Sequence, residues 1–300
     1  MKKLILLSTM LLMALVASAQ VKVAPKLEKG LKKVYVGEVT TSLLGQSEVK
    51  ITSETVYEVL DATADGYVID LVTTDVQTSA EKGDLVSRLL TITTEMLKDA
   101  HIKFATDKEG KVVKLLNADE VLATLKSMMG KIFDETLAQA PNLPAGLSKE
   151  VLMEQVAGTF NEEMLMQSVE MNTSPLVLNG KTIATGAQDY FNNSQGMKMK
   201  RMYFVNADGS VITSSTLDMN KDELKQLIIA QVEKMAPDQA DMIKQNIDAV
   251  INSGTLNMEA NEKATYTFDK DKWIDSIQSE VSSTAAGQKT TVKATLKLKK

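Results

Sequence analysis

A catalytic triad or an imidazole metal site would have to be built on His101, the only histidine in the chain. It opens an alternating segment, His101–Thr106, and reads as a strand-edge residue. Cysteine is absent. Thiolate nucleophiles, disulfides and cysteine metal sites are therefore excluded, and zinc or haem has almost no donors. Gly180-Lys181-Thr182 ends like a phosphate loop, but the first glycine of that motif would fall on Pro175, so it reads as a tight turn. Ser47-Glu48-Val49-Lys50 matches the S-x-x-K pattern of serine acyltransferases, whose serine opens a helix; here it lies in a strand pattern and has no Lys-Thr-Gly or Ser-Asp-Asn partner. Asp107–Gly110, Asn206–Gly209 and Asp61–Gly66 lack the alternating acids and closing glutamate of a calcium loop and read as hairpin turns. No nucleophile–base pair can be assembled, which predicts a protein that is not an enzyme and needs no cofactor. A hydrolase working through carboxylates alone stays open, because such a pair is recognised by geometry.

Methionine is the remaining soft chemistry, with 17 residues. Met197 and Met199 share one face of a predicted strand and have the Met-x-Met spacing of exported copper(I) carriers. Thioethers select Cu(I), so these two are the weak metal candidates. Met164 falls in a helical stripe and reads as core. The same polarizable side chains also suit the wall of an adaptable apolar ligand site.

The elements that position these residues follow a leader. Lys2 and Lys3, the apolar run Leu4–Val16 and Ala17-Ser18-Ala19 before Gln20 predict a signal peptide over residues 1–19, cleaved after Ala19. The expected mature chain is exported, periplasmic or extracellular, and without a lipobox cysteine it is not a lipoprotein. Cleavage takes the 34 basic side chains to 32 against 39 acidic ones. That balance argues against nucleic acid, which needs a basic face, and against electrostatic attachment to anionic lipid. No later segment approaches spanning length, so the expected mature chain has no transmembrane segment.

Two copies of one pattern organise the rest: an aromatic strand, an Asx-Gly turn, a return strand and a helix opened by Asn. The first runs from His101 to Leu137, with its helix from Asn117 carrying Leu125 and Met128. The second runs from Arg201 to Met235, with its helix from Asn220 carrying Leu227 and Ile228. Further helices are expected from Asp84, Ser148 and Pro237, and residues 20–32 read as a loose lead-in. Alternating strands fill the rest, including Leu176–Leu178 and Ile183–Phe191. In the last strand Lys293, Lys297 and Lys299 face away from Val292, Ala294, Leu296 and Leu298. This order predicts an α+β fold, a curved antiparallel sheet or open half-barrel with helices packed on its concave face. Residues 20–300 are expected to form one domain of two related halves, about 30–172 and 173–300.

The signal ending Ala-Ser-Ala-Gln, the hairpin Phe104–Val112 with its capped helix, and the Tyr-x-Phe-Asp strand at Tyr266–Asp269 resemble exported proteins of Gram-negative bacteria whose function is not established. The broader shape is similar to the lipoprotein-carrier fold, an open barrel with a helical lid; no functional residues carry over from it. The expectation is a non-enzymatic envelope protein that binds or carries a lipid or other apolar ligand. The site is expected where the two repeat helices face each other, near Leu125, Met128, Leu227 and Ile228. The alternative is a structural module that presents Lys293, Lys297 and Lys299 to an envelope protein, with copper(I) binding as a minor one.

Overall fold

The computed structural model describes residues 20–42, 48–79, 98–139, 161–193, 196–235, 241, 244–247, 259–285 and 288–300. The expected leader, the helix from Asp84 and most of the helices from Ser148 and Pro237 lie outside them. Among the described residues, no helix is long and apolar enough to cross a membrane.

Among the described residues, one antiparallel sheet of eleven strands dominates. The first meander runs β2 (Lys32–Ser42), β3 (Val49–Ala62), β4 (Tyr67–Thr78), β5 (His101–Thr106) and β6 (Val112–Leu115). The second runs β8 (Gln188–Asn192), β9 (Lys198–Val205), β10 (Val211–Leu217), β11 (Glu259–Phe268), β12 (Ile274–Ala285) and β13 (Gln288–Leu298). β2 pairs β13 and joins the two meanders, leaving β6 and β8 as the edges. Strands from either side of residue 172 thus share one sheet. Period-two alternation sets its faces. Tyr35, Tyr57, Ile69, Phe104 and Ile277 are buried on the inner face, while Lys293, Lys297 and Lys299 alternate outward.

Two segments read as irregular or strand seal the inner face at one end. Residues 20–32 are not a loose lead-in. β1 (Gln20–Lys22) pairs β7 (Thr182–Ala184), and Val21, Val23 and Leu27 are buried. Leu176–Leu178 is not a strand but a chain of turns, with Val177 N–H donating to Ser174 O and Asn179 N–H to Leu176 O. Leu176, Val177 and Leu178 are all buried as a wedge under the sheet. Three consecutive apolar residues mimic a buried strand, and periodicity alone cannot separate the two. Ile183–Phe191 is broken into β7 and β8 at Gly186, whose φ of 86° suits glycine.

The repeat helices start by different means. In α1 (Ala118–Gln139), Asn117 does not cap with its side chain: its Oδ1 accepts from Lys103 N–H and its Nδ2 donates to His101 O, tying the helix to β5. A further helix, α2 (Glu162–Glu170), precedes the wedge. In α3 (Lys221–Met235), Asn220 Oδ1 accepts from Asp222 and Glu223 N–H at 2.9 Å, and Glu223 reaches back to Asn220 N–H at 2.8 Å. That is a reciprocal capping box.

Val121 of α1 and Leu165 and Val169 of α2 join the cluster built on Tyr35, Tyr57, Ile69, Phe104 and Trp273. α2 packs against β6. It also shares a cleft of about 480 Å³ with β8, lined by Glu163, Met166 and Gln167 on one side and Tyr190, Phe191 and Asn192 on the other. A flat eleven-stranded sheet is about 48 Å wide, whereas a nine-residue helix is about 13 Å long. Both edges reach one short helix only because the sheet curls. Among the described residues it stays open: β6 and β8 do not pair.

Candidate functional site

The strand register draws a gradient across the inner face. One row starts at Tyr203 and Thr213, passes Ala264, Ser279 and Ala294, and ends at Val39 and Ile51. The next row starts at Asp189 and Arg201 and passes Ser215 and Glu262. It then turns apolar at Val281 and Val292 and ends at Thr41 and Val49. Charge lies at the β8–β11 end, and small and β-branched side chains lie over β12, β13, β2 and β3.

The polar end is tightly organised. Arg201 is 1% exposed, with its guanidinium 4.2 Å from the Phe191 ring centroid and its Nε 3.5 Å from Asp189 Oδ1. Asp189 Oδ2 accepts from the Tyr203 hydroxyl at 2.7 Å and from Lys181 Nζ at 2.8 Å. Burial pushes the Asp189 carboxyl up, but Lys181, Arg201 and Tyr203 together outweigh it and hold it below the usual range. Glu262 goes the other way. Burial raises it, and hydrogen bonding to Asn172 and the charge of Arg201 offset only part of that. Asn172 is wholly buried, donates to Ser215 Oγ, and accepts from the Tyr266 hydroxyl through both its backbone and side-chain oxygens at 3.0 Å. Two cations, Arg201 and Lys181, thus face two acids, Asp189 and Glu262. Ser279 Oγ is buried with no hydrogen-bond partner among the described residues. A buried, unmet hydroxyl costs about 1–3 kcal/mol.

At the apolar end, Val281, Val292, Val39 and Ile51 are half-buried on the inner face. Among the described residues they belong to none of the three packed clusters. Complete burial of one such side chain is worth about 1.5–3 kcal/mol. Four half-covered ones leave several kcal/mol for an apolar partner.

A second concavity, about 190 Å³, lies beside α1. Leu125, Met128, Val121, Ile102 and Leu165 line it, with His101 and Glu120 among its polar groups. Ordinary ligand sites run to about 300–1,000 Å³. His101 Nδ1 lies 2.7 Å from Asp70 Oδ2, and Asp70 is buried. This resembles the orienting half of a triad, but among the described residues no hydroxyl hydrogen-bonds the ring.

The four expected ligand residues divide between two places. Leu125 and Met128 line the concavity by His101, whereas Leu227 packs with Met197 and Met199. Ile228 is half-buried on α3. The first copy sits at the β6 edge and the second lies inside the sheet, so their helices serve different clusters. Met197 and Met199 are 3% exposed and pack with Phe191, Leu217 and Met219. Lys299 pairs with Glu54 at 2.6 Å, and Lys293 lies opposite Glu280. The polar row was not anticipated from sequence. Its signal is a change of kind within the inward phase of the alternation: Glu262 two positions before Ala264, and Arg201 two before Tyr203.

No family model matches the chain, and no curated protein matches it. Among solved structures, it is similar to one titled for lipid–protein interactions in lipovitellin, at 9% identity and a TM-score of 0.42. That likeness covers 92% of this chain and 26% of the other, so the chain spans about a quarter of the lipovitellin chain. A porin-like protein from Bacteroides uniformis matches at 11% identity and a TM-score of 0.17, covering 88% of this chain and 96% of that one. Scores this low establish neither a shared fold nor a shared function.

Proposed function

We propose that this chain is a non-enzymatic envelope protein that binds and carries an apolar ligand along the inner face of its curled sheet. The supporting observation is the strip Val281, Val292, Val39 and Ile51: apolar, inward, half-buried and outside every packed cluster among the described residues. In this reading the wedge of residues 172–183 is the floor of the site, and helices cover the concave face. Export rests on the leader, residues 1–19. The basic stripe gives a docking face less support, because Lys299 is already held by Glu54.

The test is binding of a neutral naphthylamine dye to the purified, delipidated protein, with mass spectrometry of whatever organic solvent extracts before delipidation. Val292→Glu puts a charge on the strip and is expected to weaken dye binding at least tenfold. Equal binding by wild type and Val292→Glu, or no dye binding at all, refutes the reading.

A further inference from the structure

The inner face carries more polar chemistry than a site for a plain hydrocarbon needs. We infer that the ligand is a single-chain amphiphile with a neutral, polyhydroxylated head, of the monoacylglycerol type, seated head-first between Ser279 and Glu262. The inference rests on the apolar-ligand reading above and specifies the head.

Three observations carry it. The first is position. Glu262 pairs Val281, and Ser279 pairs Ala264 and Ala294, so the two polar groups are diagonal neighbours on β11 and β12 at the border of the apolar strip. Tail and head would therefore run along one line of the sheet. From β12 through β13 and β2 to β3 is three strand spacings, about 14 Å, which suits a medium acyl chain.

The second is an unmet need. Ser279 Oγ is buried without a hydrogen-bond partner among the described residues, and its cross-strand neighbours Ala264 and Ala294 have no polar side-chain atom to offer. A ligand hydroxyl can both donate to and accept from it. Diagonal neighbours stand about 7 Å apart at Cβ, within reach of a head that carries two adjacent hydroxyls.

The third is charge. Arg201 and Lys181 are already matched by Asp189 and Glu262, with Lys181 Nζ 2.8 Å from Asp189 and Glu262 under the charge of Arg201. Among the described residues the two charges of each sign leave none over for a carboxylate or phosphate, and a half-buried extra anion would lack a counter-charge. That selects a neutral head over the anionic head of a fatty acid.

The experiment is displacement of the neutral dye at neutral pH by a monoacylglycerol, by the fatty acid of the same chain length and by its methyl ester. Each is tested on wild type, Ser279→Ala and Glu262→Gln. The monoacylglycerol is expected to displace dye at a concentration at least tenfold below the other two. Ser279→Ala should raise that concentration about fivefold, the effect of one hydrogen bond, and leave the methyl ester unchanged. Ser279→Ala removes an unmet buried hydroxyl, so loss of fold does not confuse its result. Glu262→Gln keeps an acceptor but leaves one cation unmatched, so the fatty acid should gain on the monoacylglycerol, and no gain would overturn the charge argument. A fatty acid that binds as well as the monoacylglycerol, or an unchanged preference in Ser279→Ala, overturns the head assignment while apolar binding stands. Failure of the dye to bind overturns both.

Discussion

The contact between Lys33 and Asp269 ties the middle of the sheet to its sealed end, and it can be dissected. Lys33 Nζ lies 2.8 Å from Asp269 Oδ2, and both side chains are under a fifth exposed, at 16% and 17%. Asp269 Oδ1 accepts from the N–H groups of Asp271 and Trp273, and Lys33 stands 5.8 Å over the Trp273 ring. Asp269→Ala removes the counter-charge and the turn acceptor together and leaves Lys33 alone, at a cost of about 3–5 kcal/mol. Asp269→Asn keeps the acceptor and loses the charge, at a cost of about 1.5–3 kcal/mol, the worth of a charged hydrogen bond. Lys33→Met removes the cation and keeps the packing, so Asp269→Asn in that background should cost under about 1 kcal/mol. The assay is urea unfolding followed by the fluorescence of Trp273, the chain's one tryptophan, buried beside the pair. Equal losses from Asp269→Asn and Asp269→Ala would show that the turn contributes nothing. Strict additivity of Lys33→Met with Asp269→Asn would refute the ion pair as a source of stability.

Gly66→Ala would place a Cβ 1.8 Å from the Thr106 carbonyl oxygen. Backbone must move, so a loss above about 3 kcal/mol is expected in the same assay. Asn220→Ala should cost about 1 kcal/mol through the lost cap of α3, with a matching drop in helical circular dichroism; no change would contradict the capping box. For Glu262, burial raises the folded carboxyl above its ordinary 4.5. As pH rises through the window above 4.5, the folded state holds a proton that the unfolded chain has released, so stability falls across that window. Glu262→Gln should flatten this limb of the pH–stability curve, and an unchanged limb would assign it to another group.

Much of the sheet is legible in the sequence because one-sided strands write their faces in period two: Lys293, Lys297 and Lys299 against Ala294, Leu296 and Leu298 is one example. Asn220-Lys221-Asp222-Glu223 likewise announces a helix start. Asn117 carries the same signal, yet its side chain serves β5, because a cap and a tertiary bridge need the same atoms. The wedge at Leu176–Leu178 was unreadable for a related reason: contiguous burial erases periodicity. The candidate site was the least legible part. Its defining relation, Glu262 beside Ser279, exists only through register between strands, and no spacing along the chain encodes it.

The pairing of β2 with β13 has a consequence in time. Leu298 lies opposite Tyr35 and Thr291 opposite Ser42, so a strand near the start of the sheet waits for the last strand of the chain. Until β13 arrives, β2 is a long unpaired edge, open to any other extended segment, and the contacts that close it are among the slowest kind to form. Removal of β13 would therefore expose two edges at once, those of β2 and β12, in the middle of what is one continuous sheet. A chain shortened at its C-terminus is expected to associate with copies of itself rather than persist as a smaller folded monomer.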